Sequence, residues 1–413
     1  MKKKLIIVGG GITGCALALH ASENNFEVSI YEKSNSLGGI LSDVQFGNDL
    51  FFQNCQYLNS NNMWFKKIIK NNFTLKNFFH QKYSFSNLEN NEKLVEDIAG
   101  VPTSENIEFK NLNIDLENIV SLKDKLKLYP NNLSSKIFEW LKISKIDTSD
   151  LSHISSDGLG LKRVFPQKKL NSLLKLKKKN RNYDDLFGLP NKFLYSRKIF
   201  ASLPPNGFNE LFSQISKKLK KQGVKIFLNS IVKPEWHKDL LKIKHKREIL
   251  SSDYFFWSGN PTGLIKSYGL PLLDSKHLVS KNFFFNLSGK ISNNFYIQIY
   301  DMNTPISRLF IYRLKNMIKL TVETNSNKLK TIEVQKYCIK IFEKYFKKLK
   351  LKIKKNSNFT KEFKKYVLVS NKDFKIINQF NNKTKKTNLI TGSWLKYSRD
   401  DKIEFAIKNL ETK

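Results

Sequence analysis

Apolar positions change rhythm twice within the first thirty residues or so of the chain, and those changes predict a strand, a helix and a second strand. Leu5-Ile6-Ile7-Val8 is an uninterrupted apolar run, as a strand covered on both faces requires. From Ile12 to Ser22 small and apolar helix formers follow one another. Phe26, Val28 and Ile30 then alternate with polar partners in a strand that ends at Tyr31-Glu32. With a glycine-rich turn after the first strand, this is half of a doubly wound parallel sheet.

Farther along, residues from about 60 to 195 are rich in Asn and Lys, with helical stretches at Leu133 to Ile143 and Leu170 to Leu176. They read as a mostly helical insertion. Leu203-Pro204-Pro205-Asn206-Gly207 then breaks the chain before a helix in which Leu211, Ile215 and Leu219 recur every four residues. Gly223 closes that helix, and Val224, Ile226 and Leu228 alternate in a strand expected to run to Val232. Asp253 to Trp257 is a short apolar strand ending in Ser258-Gly259-Asn260-Pro261.

Strand-like segments dominate from about 265 to 385: Phe283 to Leu287, Phe295 to Tyr300, Ser307 to Tyr312 and Ile318 to Glu323. A helix at Ile332 to Leu349 lies among them, and Asn388-Leu389-Ile390 leads to a helix at Lys402 to Leu410. The expected fold class is α/β. A Rossmann-like dinucleotide domain is assembled from segments 1–60, 195–264 and 385–413, with a mostly helical insertion at 61–194 and an antiparallel-sheet substrate domain at 265–384.

Gly9-Gly10-Gly11-Ile12-Thr13-Gly14 fits GxGxxG in the right setting, after a strand and opening a helix. Gly9 permits the tight turn, Gly11 lets the backbone approach a pyrophosphate, and Gly14 lets helix and strand pack closely. The amides of Ile12 and Thr13 lie at the helix N-terminus, where free N–H groups and the helix dipole attract phosphate. Glu32 is placed to accept hydrogen bonds from a ribose hydroxyl, with Lys33 beside it. Both FAD and NAD use this fingerprint. Gly38-Gly39 follows the ribose acid at a spacing that resembles that of flavoproteins, which implies FAD.

Glu32 through Gly39 resembles the glutathione-reductase-type FAD fold shared by amine oxidases, protoporphyrinogen oxidases and UDP-galactopyranose mutases. Later segments are similar to the mutases in particular, and they come in the same order. Gly223 to Val232 looks like the strand whose valine backbone sits by the adenine, which makes Val232 an adenine contact. Tyr254 to Pro261 with Tyr268-Gly269-Leu270 is similar to the segment around the mutase TGP motif. Asp301 to Arg308 resembles the stretch carrying a substrate-diphosphate arginine. Gly392 to Asp401 is similar to the closing FAD motif.

The resemblance implies that Arg308 and Tyr397 bind substrate and that Gly392 and Asp401 lie near the flavin's ribityl or pyrophosphate part. A guanidinium fork suits a diphosphate. Where mutases place a histidine beside the flavin, this chain reads Asn54-Cys55-Gln56, and Gln56 can hydrogen-bond flavin without titrating. A counterpart of the uracil-stacking tryptophan is missing, as is the aspartate after TGP. These departures point to a diverged relative acting on another nucleotide sugar or a different substrate.

The resemblance leaves three functions open. One is a mutase-like FAD enzyme acting on a nucleotide sugar for cell-surface polysaccharide. Another is an amine-oxidase-like or desaturase-like FAD oxidoreductase that removes hydride from a small molecule. The third is a basic binding protein on a degenerate FAD fold.

Charge bears mainly on that third reading. The chain carries 72 Lys+Arg against 36 Asp+Glu, a formal +36. Such a field attracts polyanions. Nearly all of it is Lys, however, spread among Asn, Ile and Phe as an AT-rich coding bias would produce. Arginine, the preferred reader of bases, is scarce. Sequence-specific nucleic-acid binding is therefore not expected, while peripheral contact with an anionic membrane and the oligomeric state stay open.

Cys15, Cys55 and Cys338 are widely spaced, and the six histidines show no metal spacing, so no disulfide framework and no metal site are expected. The apolar run after Lys2-Lys3-Lys4 is cut by glycines after four residues, too soon for a signal peptide, and no long apolar stretch follows. A cytoplasmic location is the expectation.

Overall fold

The computed structural model describes residues 2–59, 68–69, 73, 75–79, 81–86, 93–96, 121–128, 131–143, 200–274, 276–301, 303–355, 358–390, 392, 394–395 and 399–413. Its organising element is a five-stranded parallel sheet. Across that sheet the strands run Lys225–Phe227, Phe26–Tyr31, Lys3–Val8, Tyr254–Trp257, Leu389–Ile390. In chain order this is 3-2-1-4-5, the doubly wound arrangement, and the order reverses between Lys3–Val8 and Tyr254–Trp257. Ligands of such sheets bind at that reversal, outside the carboxyl ends of the strands.

The unbroken Leu5–Val8 run is explained by cover on both faces. Leu5 and Ile7 pack on one side against the helices Ile12–Glu23, Phe208–Lys221 and Arg399–Glu411, through Leu17, Leu211, Ile215 and Ile407. Ile6 and Val8 face the opposite side, towards Leu241 and Ile243 of a three-stranded antiparallel meander and Ile376, Ile377 and Phe380 of helix Asn371–Lys383. The meander comprises Val232–His237, Leu240–His245 and Glu248–Leu250.

A second, eight-stranded sheet contains Lys276–Ser288, Phe295–Tyr300, Ile306–Leu314, Met317–Thr324, Lys352–Ile353 and Phe359–Leu368, all joined antiparallel. The helix Thr331–Tyr345 covers one face through Val334, Cys338, Ile341 and Phe342. A hairpin, Asp43–Phe46 and Asp49–Phe52, ties the two sheets together. Phe51 packs on Phe284, and Phe52 stacks on Tyr312 with centroids 4.6 Å apart.

Two expectations need correction. Within the insertion, helices occur at Leu122–Leu126 and Asn131–Ile143, but Lys76–Phe79, Gln81–Ser86 and Lys93–Glu96 are strands. Gln81–Ser86 joins the large sheet parallel to Phe295–Tyr300, more than two hundred residues away. Such distant pairing overrides local composition, although Tyr83 and Phe85 carry the two-residue period of a strand. The helix expected at Leu170 to Leu176 lies outside the described residues. The strand expected from Val224 to Val232 instead stops at Phe227, because Asn229 takes a left-handed φ of 51° and turns the chain into the meander.

Among the described residues no helix is long and apolar enough to cross a membrane, and no group of His, Cys, Asp and Glu could hold a metal ion.

Candidate functional site: a dinucleotide cleft at the sheet reversal

Gly9 follows the first strand with φ of 105°, where an L side chain would be strained, and its N–H donates to the Tyr31 carbonyl at 2.8 Å. On the far side of the reversal the Ser258 N–H donates to the Val8 carbonyl at 2.8 Å. The other two glycines of the motif have opposite surroundings. A methyl at Gly14 would run into the Gly9 carbonyl, so this glycine lets helix and strand close together. A methyl at Gly11 would meet no atom within 4 Å. Gly11 thus faces open space at the amino end of helix Ile12–Glu23, where a phosphate would meet free N–H groups.

Gly38-Gly39 sits directly beside this turn. The Gly38 N–H donates to the Gly10 carbonyl at 2.9 Å, and a methyl on Gly39 would lie 3.4 Å from Gly11 Cα. Glu32 is 6% exposed and locks the arrangement. One carboxylate oxygen accepts from the Gly10 N–H at 2.6 Å and the other from the Ser34 N–H at 2.8 Å. A carboxylate oxygen has two acceptor sites, so each retains capacity for a sugar hydroxyl. The 228–232 segment is held against the same corner by Asn229 N–H to the Ser34 carbonyl at 2.9 Å and Ser230 N–H to the Glu32 carbonyl at 2.8 Å. Val232 is half-buried there, while Lys33 is exposed.

Between the two sheets, Asn54, Cys55 and Gln56 meet the large sheet. The Cys55 N–H donates to Glu323 Oε1 at 2.6 Å, and Glu323 is fully buried. Its other oxygen lies 3.4 Å from Arg308 Nη1, while Arg308 Nε donates to Gln298 Oε1 at 3.1 Å. Arg308 is therefore brought to the predicted flavin-side segment, but with its guanidinium engaged by protein. Gln56 Oε1 is buried with no hydrogen-bond partner among the described residues, an acceptor awaiting a donor.

Near the other end of the chain, Gly392 is buried and a methyl there would strike the Trp394 indole, whose Nε1 donates to the Gly259 carbonyl at 3.1 Å. Gly392 thus makes room for the indole. Asp401 is exposed, and Tyr397 lies outside the described residues. Lys402, one residue on, borders a small cavity with Thr13, Ser258 and Trp394. A larger cleft of about 780 Å³, lined by Tyr31, Phe227, His245 and Arg247 among others, lies under the meander. It extends to Lys4, Glu27 and Lys225 near the amino ends of the strands, away from the glycine turn.

A family model described as an NAD(P)-binding Rossmann-like domain matches residues 7–67. A curated relative, the 4,4'-diaponeurosporene oxygenase of Staphylococcus haemolyticus, is 40% identical over 52 residues; the match spans 12% of this chain and only 10% of the relative's length. Among solved structures, an engineered triple mutant of putrescine oxidase superposes with a TM-score of 0.60 at 11% identity, covering 100% of this chain and 98% of the other. The reduced UDP-galactopyranose mutase gives 0.57 at 10% identity, over 100% and 93%.

The fold is the one seen in the putrescine oxidase and UDP-galactopyranose mutase structures. The expected resemblance and α/β class are both borne out. Within this fold the local motif residues Gly9, Gly11, Gly14, Glu32, Gly38 and Gly39 gather at the sheet reversal. Sequence reasoning missed Glu323, which anchors Cys55 and Arg308. Glu323 sits in a strand whose alternation marked it only as one polar position among several.

Proposed function

We propose that this chain is a FAD-dependent enzyme. The observation that carries the reading is the convergence of the glycine turn, Gly38-Gly39 and the locked Glu32 around the open space at Gly11. On this reading the N–H groups at the start of helix Ile12–Glu23 hold the pyrophosphate, Glu32 accepts from the ribose, and the 228–232 segment lines the adenine. Gln56 Oε1 accepts a flavin N–H, which satisfies its buried lone pairs. We read segments 1–60, 195–264 and 385–413 as the cofactor part and 265–384 as the substrate-facing part.

When bound, FAD supplies a two-electron acceptor or donor; the chain's residues position it and exclude water. Hydride removal from a small molecule is the reaction class we favour, because Arg308 is already paired with buried Glu323 and bonded to Gln298, which opposes its use as a diphosphate clamp. A nucleotide-sugar substrate is the second reading. It is supported by the order of the mutase-like segments and by the similarity to the mutase structure.

An absorbance spectrum of protein reconstituted with FAD tests the first step: a flavin band that survives gel filtration is expected, and a colourless protein would overturn the assignment. Anaerobic mixing then separates the two chemistries. A hydride-removing enzyme bleaches its oxidised flavin with substrate alone, whereas a mutase-like enzyme needs prior reduction and returns the flavin unchanged.

A further inference from the structure

Helix Thr331–Tyr345 turns two unlike sides outward and inward. Val334, Cys338, Ile341 and Phe342 are buried against the large sheet. On the other side Ile332, Lys336 and Ile339 recur at helical spacing, and the two isoleucines are 54% and 41% exposed. A helix that had only to cover the sheet would carry polar residues at those positions. From Lys336 to Lys355 the chain has nine lysines and a single acid, Glu343, where its average of 72 Lys+Arg in 413 residues would place about three or four. The run therefore exceeds the lysine bias of the whole sequence.

Folded backbone holds the lysines that follow the helix. The Lys290 N–H donates to the Leu349 carbonyl at 2.9 Å and the Lys354 N–H to the Asn286 carbonyl at 2.9 Å, while Leu351 is buried between them. Strand Lys352–Ile353 pairs there with the end of Lys276–Ser288. Lys347, Lys348, Lys350, Lys352 and Lys355 are all exposed, and none forms an ion pair with a described residue. Two acids temper their field. Glu343 lies within the helix, and Asp49 acts on Lys354 but is already 2.7 Å from Lys319. A large excess of positive charge remains.

We propose that the outer face of helix Thr331–Tyr345 and the lysine run after it dock on an anionic lipid bilayer. Aliphatic side chains among lysines suit a bilayer interface: the isoleucines enter the acyl boundary and the ammonium groups meet lipid phosphates and carboxylates. Nucleic acid has no use for such isoleucines. It stacks on aromatic rings and arginine, and the outward positions 332, 336, 339, 340 and 343 hold neither. Each lysine close to the membrane contributes about fivefold to binding. Two isoleucines add a smaller share, so the contact is peripheral and reversible. This docking is independent of the dinucleotide reading above.

The test sediments the full chain with phosphatidylcholine vesicles, with and without about a third phosphatidylserine, in about 0.05 to 0.5 M salt. Wild type should bind the anionic vesicles only, and binding should weaken about tenfold or more across the salt range. Lys347→Glu/Lys348→Glu/Lys352→Glu should lose about a hundredfold or more. Lys217→Glu/Lys220→Glu/Lys221→Glu makes the same charge change on helix Phe208–Lys221, where all three lysines are exposed. It should bind within about threefold of wild type. Ile332→Ser/Ile339→Ser should weaken binding about tenfold and leave its salt dependence unchanged. Unfolding midpoints check that the variants are folded. Lys347→Gln/Lys348→Gln/Lys352→Gln, which removes charge without reversing it, should show a smaller loss in the same direction. Equal losses from the two charge reversals would mean diffuse basicity and overturn the docking surface. So would equal binding to neutral vesicles, binding to neither kind, or binding to polyuridylate with none to vesicles.

Discussion

The Glu32 carboxylate and the Gly10 amide, 2.6 Å apart, join the end of the second strand to the middle of the glycine turn. The carboxylate is buried and its second oxygen is taken by the Ser34 N–H, so it shapes the turn before any ligand arrives. Glu32→Gln sets an NH2 donor against one of two N–H donors. Stability should fall by about 1–3 kcal/mol, the cost of an unmet buried donor, and FAD affinity should fall with it. Urea unfolding and flavin fluorescence quenching measure the two losses.

Gly11 and Gly14 separate ligand space from protein space. Gly14→Ala forces a methyl onto the Gly9 carbonyl and should cost about 1–3 kcal/mol or more in unfolding experiments. Gly11→Ala meets no protein atom, and its φ of −70° suits alanine, so stability should hold or rise by up to about 1 kcal/mol. FAD binding by Gly11→Ala should nevertheless drop more than about tenfold, a change of about 1.4 kcal/mol. Equal binding by the Gly11 variant would mean that no pyrophosphate lies there.

Asp43 should tie stability to acidity. It accepts the Asn209 N–H at 2.8 Å at the start of helix Phe208–Lys221, yet burial pushes its carboxyl up to about 6 from the ordinary 3.8. The folded state therefore binds this proton more tightly than the unfolded chain. The associated stabilisation is fully present below pH about 4 and is lost as pH rises to about 6, a change of about 3 kcal/mol from this group. Asp43→Asn, which can still accept from Asn209, should flatten that slope. Unfolding curves between pH 4 and pH 7 that are parallel for both proteins would refute it.

Lys319 and Asp49 should respond unequally to removal. Lys319 is 1% exposed, lies 2.7 Å from Asp49 and 2.6 Å from Asn286 Oδ1, and covers the Phe51 ring at 4.4 Å. Asp49→Ala leaves a buried cation without its counter-charge and should cost about 3–5 kcal/mol. Lys319→Met leaves Asp49, which is 25% exposed and can hydrate, so its cost should be smaller, about 1–2 kcal/mol. Chemical denaturation of the two single variants compares them directly.

The strand, glycine turn and helix could be read from the sequence because their parts are short-range: the Leu5–Val8 run, the glycine turn and Glu32 fall within one supersecondary unit. Leu211, Ile215 and Leu219 likewise point inward as their spacing requires, and all three are buried. What escaped depends on distant partners. Gln81–Ser86 is a strand because Phe295–Tyr300 offers it an edge, and the course of the chain after Phe227 follows from the left-handed Asn229. Glu323 matters because Cys55 and Arg308 come to it from elsewhere in the chain. The mutase-like segments kept their order, but Arg308 acquired a protein counter-ion that no spacing could announce.

The central strand Lys3–Val8 has its neighbours supplied by Phe26–Tyr31 at once, by Tyr254–Trp257 much later, and its helical cover in part by Arg399–Glu411. A nascent chain that has not yet added Tyr254–Trp257 therefore carries Lys3–Val8 with one edge unpaired. Helix Arg399–Glu411 adds its share of the cover from a segment farther still along the chain. Closure of the parallel sheet should consequently be slow, and a ligand held at its reversal would lock distant parts of the polypeptide into one cooperative unit.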